Sequence, residues 1–174
     1  MKDAGVIGVF SVTDEAPTAS CAALIAGHQR TLCAHLGAAT KFPFYYLDSN
    51  ISYLEKASYI YSTGFFLDSN YSAFDRACTF ALENNKPFGF NLSALYVIGQ
   101  YMKEIERAIN FADFVFCNED EASAYAKALG LKSEHHVGLA QRIAKMPKAN
   151  KKRPERVVII TEGSRPTIVV KANT

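Results

Sequence analysis

Residues 113–130 read DFVFCNEDEASAYAKALG, and this stretch decides the fold class of the chain. Its first five residues are mostly apolar and aromatic, which is typical of a short buried strand. Residues 119–129 follow as a predicted helix, and Gly130 ends it. A strand that leads directly into a helix is the repeating unit of sheets whose strands run parallel.

The same alternation of strand and helix continues on both sides of this stretch. Further strands are predicted at 58–65, 87–92, 157–161 and 167–170, and further helices at 71–84, 96–111 and 136–146. The pattern therefore predicts an α/β fold, a mainly parallel sheet with helices on both faces. In open sheets of this kind, ligands bind beyond the carboxyl ends of the strands.

The first forty residues have a different pattern, that of β-hairpins. Residues 5–12 are apolar and β-branched, and Pro17 interrupts them. Residues 21–26 and 31–36 are short apolar runs joined by a predicted turn at 27–30. We therefore divide the chain into a hairpin region, 1–40, and an α/β core, 41–174.

Composition and charge exclude several classes of protein. The chain has 174 residues and is 49% hydrophobic, which excludes a disordered or collagen-like chain. Its 19 basic and 17 acidic residues give a net charge of +2, which argues against nucleic acid as a partner. Much of the basic excess lies in one run: Lys145, Lys148, Lys151, Lys152, Arg153 and Arg156. This run is either a phosphate or nucleic-acid patch or a solvated connection, and its prolines favour the connection.

The cysteines and the start of the sequence indicate in which cellular compartment the protein is expected. The four cysteines have neither CxxC spacing nor a histidine at zinc-finger distance, so a structural zinc is not expected. The opening MKDA lacks the apolar core of a signal peptide, and no 18-residue apolar run occurs. We expect free thiols, a cytoplasmic location with the nucleus as a second compartment, and no membrane partner.

Polar residues after the strand ends are the first candidates for a functional site. Helical spacing places Asn118 and Glu121 on one face at a helix N-terminus. The pair is either a capping box, which is purely structural, or a site where a carboxylate holds hydrated Mg²⁺ beside a phosphate. Thr161 and Gly163 follow the strand at 157–161, where glycine permits either a simple turn or close approach to a nucleotide.

Two further candidates lie elsewhere in the chain. Phe65 and Phe66 close the strand at 58–65, and they are either both core residues or include one aromatic platform for a flat base. Arg30, in the first hairpin turn, is either a solvated loop residue or a cation poised over a polyphosphate. The sequence has no G-x-x-x-x-G-K-[ST] loop, which argues against a P-loop NTPase.

Taken in order, these motifs resemble the adenosine kinases within the ribokinase-like family of sugar and nucleoside kinases. The matching segments are Cys21-Ala22-Ala23 followed by Gly27 and Arg30-Thr31-Leu32; Gly64-Phe65-Phe66-Leu67; Asn91-Leu92-Ser93-Ala94; Asn118 with Glu121 and Ala122; and Val158 through Thr161 with Gly163. Each motif is weak, but the ordered set extends over nearly the whole chain and is specific.

The resemblance implies a ribokinase-like fold and ATP-dependent phosphorylation of the 5′-hydroxyl of adenosine to give AMP, in purine salvage. Residues 1–40 would form a small β-lid that closes over the nucleoside. Leu32 and Ala34 would face the base from that lid, Phe65 would stack on adenine, and Arg30 would approach the transferring phosphate. Adenosine and ATP would be the partners of a monomeric protein.

The same resemblance implies how ATP and a metal would be held. Asn118, Thr161 and Gly163 would contact ATP, while Glu121 would serve Mg²⁺ through water. Glu162 stands where these kinases often have Gln, which puts a negative charge near the nucleotide. Leu95 stands where they usually have Pro, and losing a proline that starts a helix should have a mild effect.

The sequence also lacks segments that the resemblance leads one to expect. It contains no G-A-G-D segment, which in these kinases carries the catalytic base, and no amino-terminal part with the ribose-binding Asp. We therefore expect a central part of a kinase domain that does not phosphorylate adenosine alone. Two alternatives stay open: a non-catalytic module that binds adenine nucleosides, and a sugar kinase of the same family.

Overall fold

The protein is described here by a computed structural model, which covers residues 2–131 and 135–174. Its strands are β1 (Ser20–Ala26), β2 (Gln29–His35), β3 (Ile60–Thr63), β4 (Phe88–Asn91), β5 (Phe114–Asn118), β6 (Glu155–Glu162) and β7 (Arg165–Asn173). Its helices are α1 (Phe44–Ser49), α2 (Ile51–Lys56), α3 (Phe66–Glu83), α4 (Leu95–Gln100), α5 (Met102–Phe111), α6 (Glu119–Ala128) and α7 (His136–Ala144), with 3₁₀ turns at Lys2–Ala4 and Gly37–Lys41.

The core of the molecule is one five-stranded sheet in the order β3-β4-β5-β6-β7. The first four strands are parallel, and β7 pairs antiparallel with β6. The predicted α/β class and the mainly parallel sheet are confirmed. Because neighbours in the chain are also neighbours in the sheet, the carboxyl ends of four successive strands meet along one edge.

The helices that connect the strands lie on one face of this sheet. Phe74 of α3 packs edge-on against Phe88 and Phe90 of β4, and the side chains of Val115 and Val158 on the same face are fully buried. Right-handed crossovers between adjacent strands place every connecting helix on the same side. Of the two helical layers that the sequence predicts, the described residues supply one.

The hairpin region contains one hairpin rather than several. β1 and β2 pair antiparallel with Cys21 opposite Ala34, and every residue of both strands is exposed. The prediction of a strand-like segment at 5–12 is wrong. Its backbone bonds to the region after the hairpin instead of to a strand: the Tyr46 hydroxyl donates to the Phe10 carbonyl. That residues 1–40 act as a lid stays a prediction.

Two helices differ from their predicted bounds for local reasons. The helix predicted at 96–111 is broken into α4 and α5 at Tyr101, whose φ and ψ are −122° and 36°. The Tyr101 hydroxyl donates to Asp68 Oδ1 at 2.8 Å, a contact with α3 that the local sequence does not reveal. Within α3, Asn70 is non-helical and its Oδ1 accepts from the Ala73 amide at 2.9 Å. The main part of α3 therefore starts after Asn70, as the predicted start at residue 71 anticipates.

Arg156 is fully buried in spite of its charge. Its guanidinium donates five hydrogen bonds, to the carbonyl oxygens of Ile109, Ala112, Ile143, Met146 and Pro147, at 2.7–3.1 Å. These oxygens lie at or just beyond the carboxyl ends of α5 and α7, where the helix dipoles favour a cation. Arg156 therefore ties two helices to β6 with all five of its N–H donors in use.

A second buried cation, Lys148, lies nearby. Its Nζ donates to Asp113 Oδ1 at 2.9 Å and to the Arg153 carbonyl at 2.6 Å, and burial lowers the pKa of this lysine. The basic run does form a connection before β6, as expected. It is not a solvated connection throughout, however, because Lys148 and Arg156 are taken out of water and used as internal hydrogen-bond donors.

The thiols and the helices bear on disulfide bonding and on membrane insertion. All four cysteines are free thiols, with Cys21 and Cys33 exposed and Cys78 and Cys117 buried. Among residues 2–131 and 135–174, no helix combines the length and hydropathy needed to cross a membrane.

Replacing Arg156 by Met should lower the free energy of unfolding by about 3–5 kcal/mol, because five buried carbonyl groups lose their donor. Urea unfolding followed by circular dichroism measures this loss. Lys151→Met, an exposed cation of the same basic run, is the matched control and should change stability by less than about 0.5 kcal/mol. Equal effects of the two substitutions would contradict the structural role given to Arg156.

Candidate functional site

The carboxyl ends of β3, β4, β5 and β6 border a cavity of about 330 Å³. The parallel register sets Thr63 beside Asn91, and Asn118 beside Thr161. The cavity is lined by Thr63, Phe65, Asn91, Ser93, Phe116, Cys117, Asn118, Glu121, Ile159 and Thr161. Polar side chains from four separate strand ends are thus brought into one site, as the fold class predicts.

The turn after β3 is held tightly against the turn after β4. The Gly64 amide donates to Ser93 Oγ at 2.8 Å, and a Cβ at position 64 would lie 2.8 Å from the Leu92 carbonyl oxygen. Only glycine fits this close approach. Ser93 has a φ of 70°, a left-handed conformation stabilised by its amide, which donates to Asn91 Oδ1 at 2.7 Å. This strained residue is therefore fixed at the mouth of the cavity.

The two adjacent aromatic residues take different positions. Phe65 is 46% exposed, lines the cavity and lies against Tyr96 with ring centroids 6.3 Å apart. Phe66 turns inward, against Phe42 and Phe74. Because the chain leaves β3 at Thr63, both residues lie in the start of α3 rather than in a strand. One aromatic ring is therefore exposed at the cavity, which excludes the alternative that both residues belong to the core; that Phe65 is a platform for a base stays a prediction.

Asn118 and Glu121 form a capping box at the start of α6. Asn118 Oδ1 accepts from the Glu121 amide at 2.8 Å, and Glu121 Oε2 accepts from the Asn118 amide at 3.1 Å. Glu121 Oε1 also accepts from Asn118 Nδ2 at 3.0 Å. Both residues line the cavity, so the structural role does not remove them from the site. Burial raises the pKa of Glu121, and its hydrogen bond from the Asn118 backbone opposes that shift.

The first turn of α6 carries three carboxylates: Glu119, Asp120 and Glu121. They complement the positive end of the helix dipole, but together they oppose a bare anion at this position. A divalent cation bound beside these carboxylates would neutralise them and make the position attractive to an anion. No group of three or more His, Cys, Asp or Glu side chains in the described ranges has a geometry suited to a metal. An ion beside Glu121 would therefore take most of its ligands from water or from a bound phosphate, which suits Mg²⁺.

Thr161 and Gly163 lie on either side of Glu162 at the end of β6. Thr161 lines the cavity, whereas Gly163 has a φ of 57° and makes the turn into β7 beyond the lining residues. The Glu162 carboxylate receives a hydrogen bond from His136 Nδ1 at 2.6 Å and lies 3.5 Å from Arg165 Nη2. The Glu162 carboxylate, which the resemblance would put near the nucleotide, therefore has two cationic partners within the fold, and the hydrogen bond from His136 lowers the pKa of this carboxyl group.

The predicted lid residues are not part of the cavity in this structure. Arg30, Leu32 and Ala34 are exposed on the hairpin, and none of the three is among the lining residues. The structure thus brings together Phe65, Asn118, Glu121 and Thr161, and it leaves the three hairpin residues apart. The functional roles assigned to all of these residues stay predictions.

Several lining residues were not predicted individually. Thr63 and Cys117 lie at strand ends, and that position alone could have found them. Phe116 and Ile159 point to the face of the sheet opposite the helices, which the alternation along β5 and β6 indicates. Burial raises the pKa of Cys117 to about 12, so this thiol stays protonated at neutral pH and is not a nucleophile here.

Because Glu121 has a raised pKa in the folded state, folding favours its protonated form. We expect the stability of the natural protein relative to Glu121→Gln to be greatest in acid and to fall as the pH rises through the native pKa. Urea unfolding of both proteins between about pH 3 and 7 measures this difference. Glu106→Gln removes one exposed carboxylate from α5 and is the matched control. A difference that grows with pH would contradict the burial argument.

Glu162 should behave in the opposite sense, since its pKa is lowered in the folded state. Its stabilising contribution is present above the ordinary pKa of a glutamate and is lost as the pH falls through the lowered native value. Glu162→Gln should therefore destabilise the protein at neutral pH and have little effect in acid. In a His136→Ala background, Glu162→Gln should cause a smaller loss of stability at neutral pH. An unchanged loss would show that His136 does not stabilise the Glu162 carboxylate.

Comparison with known proteins gives a consistent result. The chain is 35% identical to the adenosine kinase of Saccharomyces cerevisiae over 98% of its own length and 49% of that protein. It is 36% identical to the adenosine kinase of Schizosaccharomyces pombe over 98% of its length and 51% of that protein. The chain therefore spans about half the length of the curated relatives it matches.

Solved structures agree with the sequence comparison. The crystal structure of Anopheles gambiae adenosine kinase, in complex with P1,P4-di(adenosine-5) tetraphosphate, superposes with a TM-score of 0.88 and 38% identity. The superposition covers 93% of this chain and 48% of that one. The model of the pfkB family carbohydrate kinases matches residues 1–174. With its strand-end cavity and its mostly parallel sheet, the chain belongs to the pfkB family of carbohydrate kinases.

Proposed function

We propose that the chain is the nucleoside- and ATP-binding part of an adenosine kinase, which transfers a phosphoryl group from ATP to the 5′-hydroxyl of adenosine and gives AMP in purine salvage. The observation that carries the proposal is the cavity at the carboxyl ends of β3–β6, with the half-exposed ring of Phe65 facing polar strand ends. Identity of 35–38% with adenosine kinases from three organisms supports adenosine over a bare sugar as the acceptor.

On this proposal, the nucleoside is positioned chiefly by Phe65. Its exposed ring offers a flat apolar surface for a base, and the Tyr96 ring lies against it with the centroids 6.3 Å apart. Tyr96 is itself anchored, because its hydroxyl donates to Asp68 Oδ2 at 2.6 Å. The aromatic platform is therefore held in place before a ligand arrives, which reduces the entropy lost on binding.

The phosphates of ATP would lie near the start of α6 and the end of β6. Asn118 and Thr161 offer hydrogen-bonding side chains at neighbouring positions of the register. Bound Mg²⁺ would neutralise the charge on the phosphates, and Glu121 would hold it through water. The residues fit such an ion, since Glu121 lines the cavity and, within the described ranges, each of its carboxylate oxygens accepts one hydrogen bond. Phosphoryl transfer asks mainly for this kind of positioning and charge stabilisation.

The hairpin would act as a lid in this proposal. Closure would carry Leu32 and Ala34 to the base, bring Arg30 to the transferring phosphate, and exclude water from the reacting groups. The full exposure of β1 and β2 is compatible with such a movement, because no core packing has to be broken. We further propose that the protein is monomeric and cytoplasmic, with the nucleus as a second compartment.

A non-catalytic adenosine-binding module is the second candidate function, and one observation favours it. The sequence has no G-A-G-D segment, so it lacks the residue expected as general base. Both candidates predict that adenosine binds. They differ in whether bound adenosine is phosphorylated, and we expect no AMP from the 174-residue chain alone.

Calorimetry with adenosine tests the adenosine binding that both candidate functions predict. Phe65→Ala should weaken adenosine binding by roughly 1–3 kcal/mol, the usual contribution of one base stacked on an aromatic ring. Phe44→Ala, an exposed phenylalanine of α1, is the matched control and should leave the affinity unchanged. Ribose should not compete with adenosine. Equal binding by Phe65→Ala would remove the aromatic platform from the proposal, and AMP formation by the chain alone would refute the non-catalytic alternative.

A further inference from the structure

The end of β6 carries a negative charge directly beside a residue that lines the cavity. Thr161 is one of the lining residues, and Glu162 follows it as the last residue of the strand. The first turn of α6 adds three further carboxylates. These two groups of charges are close, since a Cβ at position 163 would lie 3.6 Å from Glu119 Oε1. An anionic ligand at this end of the cavity therefore meets an excess of negative charge.

The Glu162 carboxylate is held against the helices by His136, the first residue of α7. His136 Nδ1 lies 2.6 Å from Glu162 Oε1, and the two side chains are 22% and 15% exposed. Arg165 Nη2 lies 3.5 Å from the same oxygen, but the Arg165 side chain is 62% exposed. Ion pairs in contact with water contribute little. Of the two partners, His136 therefore makes the shorter contact and the one less screened by solvent.

We propose that His136 is a positioning residue for the phosphates of ATP and that it acts through Glu162. The imidazole offsets the charge of this carboxylate and keeps it turned away from the end of the cavity where Asn118 and Thr161 lie. Without the imidazole, the carboxylate can turn toward Thr161 and repel the bound phosphates. His136 needs no contact of its own with the ligand. The inference rests on the proposed function, since that function places the phosphates at this end of the cavity.

The residue types at the two positions fit this role. Glutamine is frequent at position 162 in the kinases that the chain resembles, and a neutral amide brings no charge to the cavity. Glutamate does bring a charge, and an anion binds well beside it only if a neighbouring donor offsets that charge. His136 is placed to do so. The two residues should therefore act as a pair, in which the effect of changing one depends on the presence of the other.

Calorimetric titration of the 174-residue chain with ATP, at a constant excess of Mg²⁺, and separately with adenosine tests the pair. His136→Ala should weaken ATP binding about fivefold, the effect of one charge that is no longer offset in a partly aqueous setting, and should leave adenosine binding unchanged. Glu162→Gln should bind ATP at least as tightly as the unsubstituted chain. The double variant should match Glu162→Gln to within about twofold, because no charge remains to be offset. His135→Ala removes the neighbouring exposed histidine and is the matched control, which should leave both affinities unchanged.

The rescue by Glu162→Gln separates this role of His136 from two others. If His136 bound the phosphates itself, the double variant would bind ATP as weakly as His136→Ala does. If His136 only stabilised the fold, ATP and adenosine would lose affinity together, and circular dichroism would show the loss of structure. Either result would overturn the inference, and so would an unchanged ATP affinity in His136→Ala.

The use of two ligands separates the inference from the proposed function. ATP affinities that follow the expected pattern, together with competition between ribose and adenosine, would support the role of His136 and remove adenosine as the acceptor. Adenosine binding with no effect of His136→Ala on ATP would support the proposed function and overturn the inference. If the unsubstituted chain does not bind ATP, the inference fails, and if it binds neither ligand, the proposed function fails as well.

Discussion

The guanidinium of Arg156 is the group on which the arrangement of this molecule depends. It lies near the start of β6 and binds carbonyl groups at the ends of α5 and α7, so one side chain fixes two helices relative to the sheet. Asp113 adds a second link beside it, through Lys148 and through the amide of Phe88 at 2.8 Å. These charged contacts lie at the amino ends of the strands. The carboxyl ends are left free of them, and that is where the cavity forms.

Much of the core could be predicted from local pattern. The strand and helix on either side of Asn118 follow from apolar spacing and a capping box, both of which depend on residues near in sequence. The cavity residues Phe65, Glu121 and Thr161 were found because parallel strands end at a common edge. Such arguments succeed where the residues that determine a helix or strand lie within or directly beside it in the sequence.

Other features have causes far away in the chain and could not be predicted in this way. The break at Tyr101 depends on Asp68, and the burial of Lys148 depends on Asp113. A cation in a loop rich in prolines is usually solvated, and only the folded structure supplies the carbonyl groups that bury Arg156. The face of the sheet that each helix covers could not be predicted either, since periodicity shows that a helix has an apolar side but not where that side packs. The hairpin was predicted, whereas its distance from the cavity was not.

The hydrogen bonds around His136 join three elements of the fold. Its Nε2 lies 3.1 Å from Ser123 Oγ of α6, and its Nδ1 lies 2.6 Å from Glu162 Oε1 at the end of β6. His136 itself is the first residue of α7. One imidazole ring therefore spans the space between α6, which carries Glu121, and the end of β6, which carries Thr161. A displacement of either element is passed to the other through this ring, so the two sides of the cavity that carry these residues are mechanically coupled.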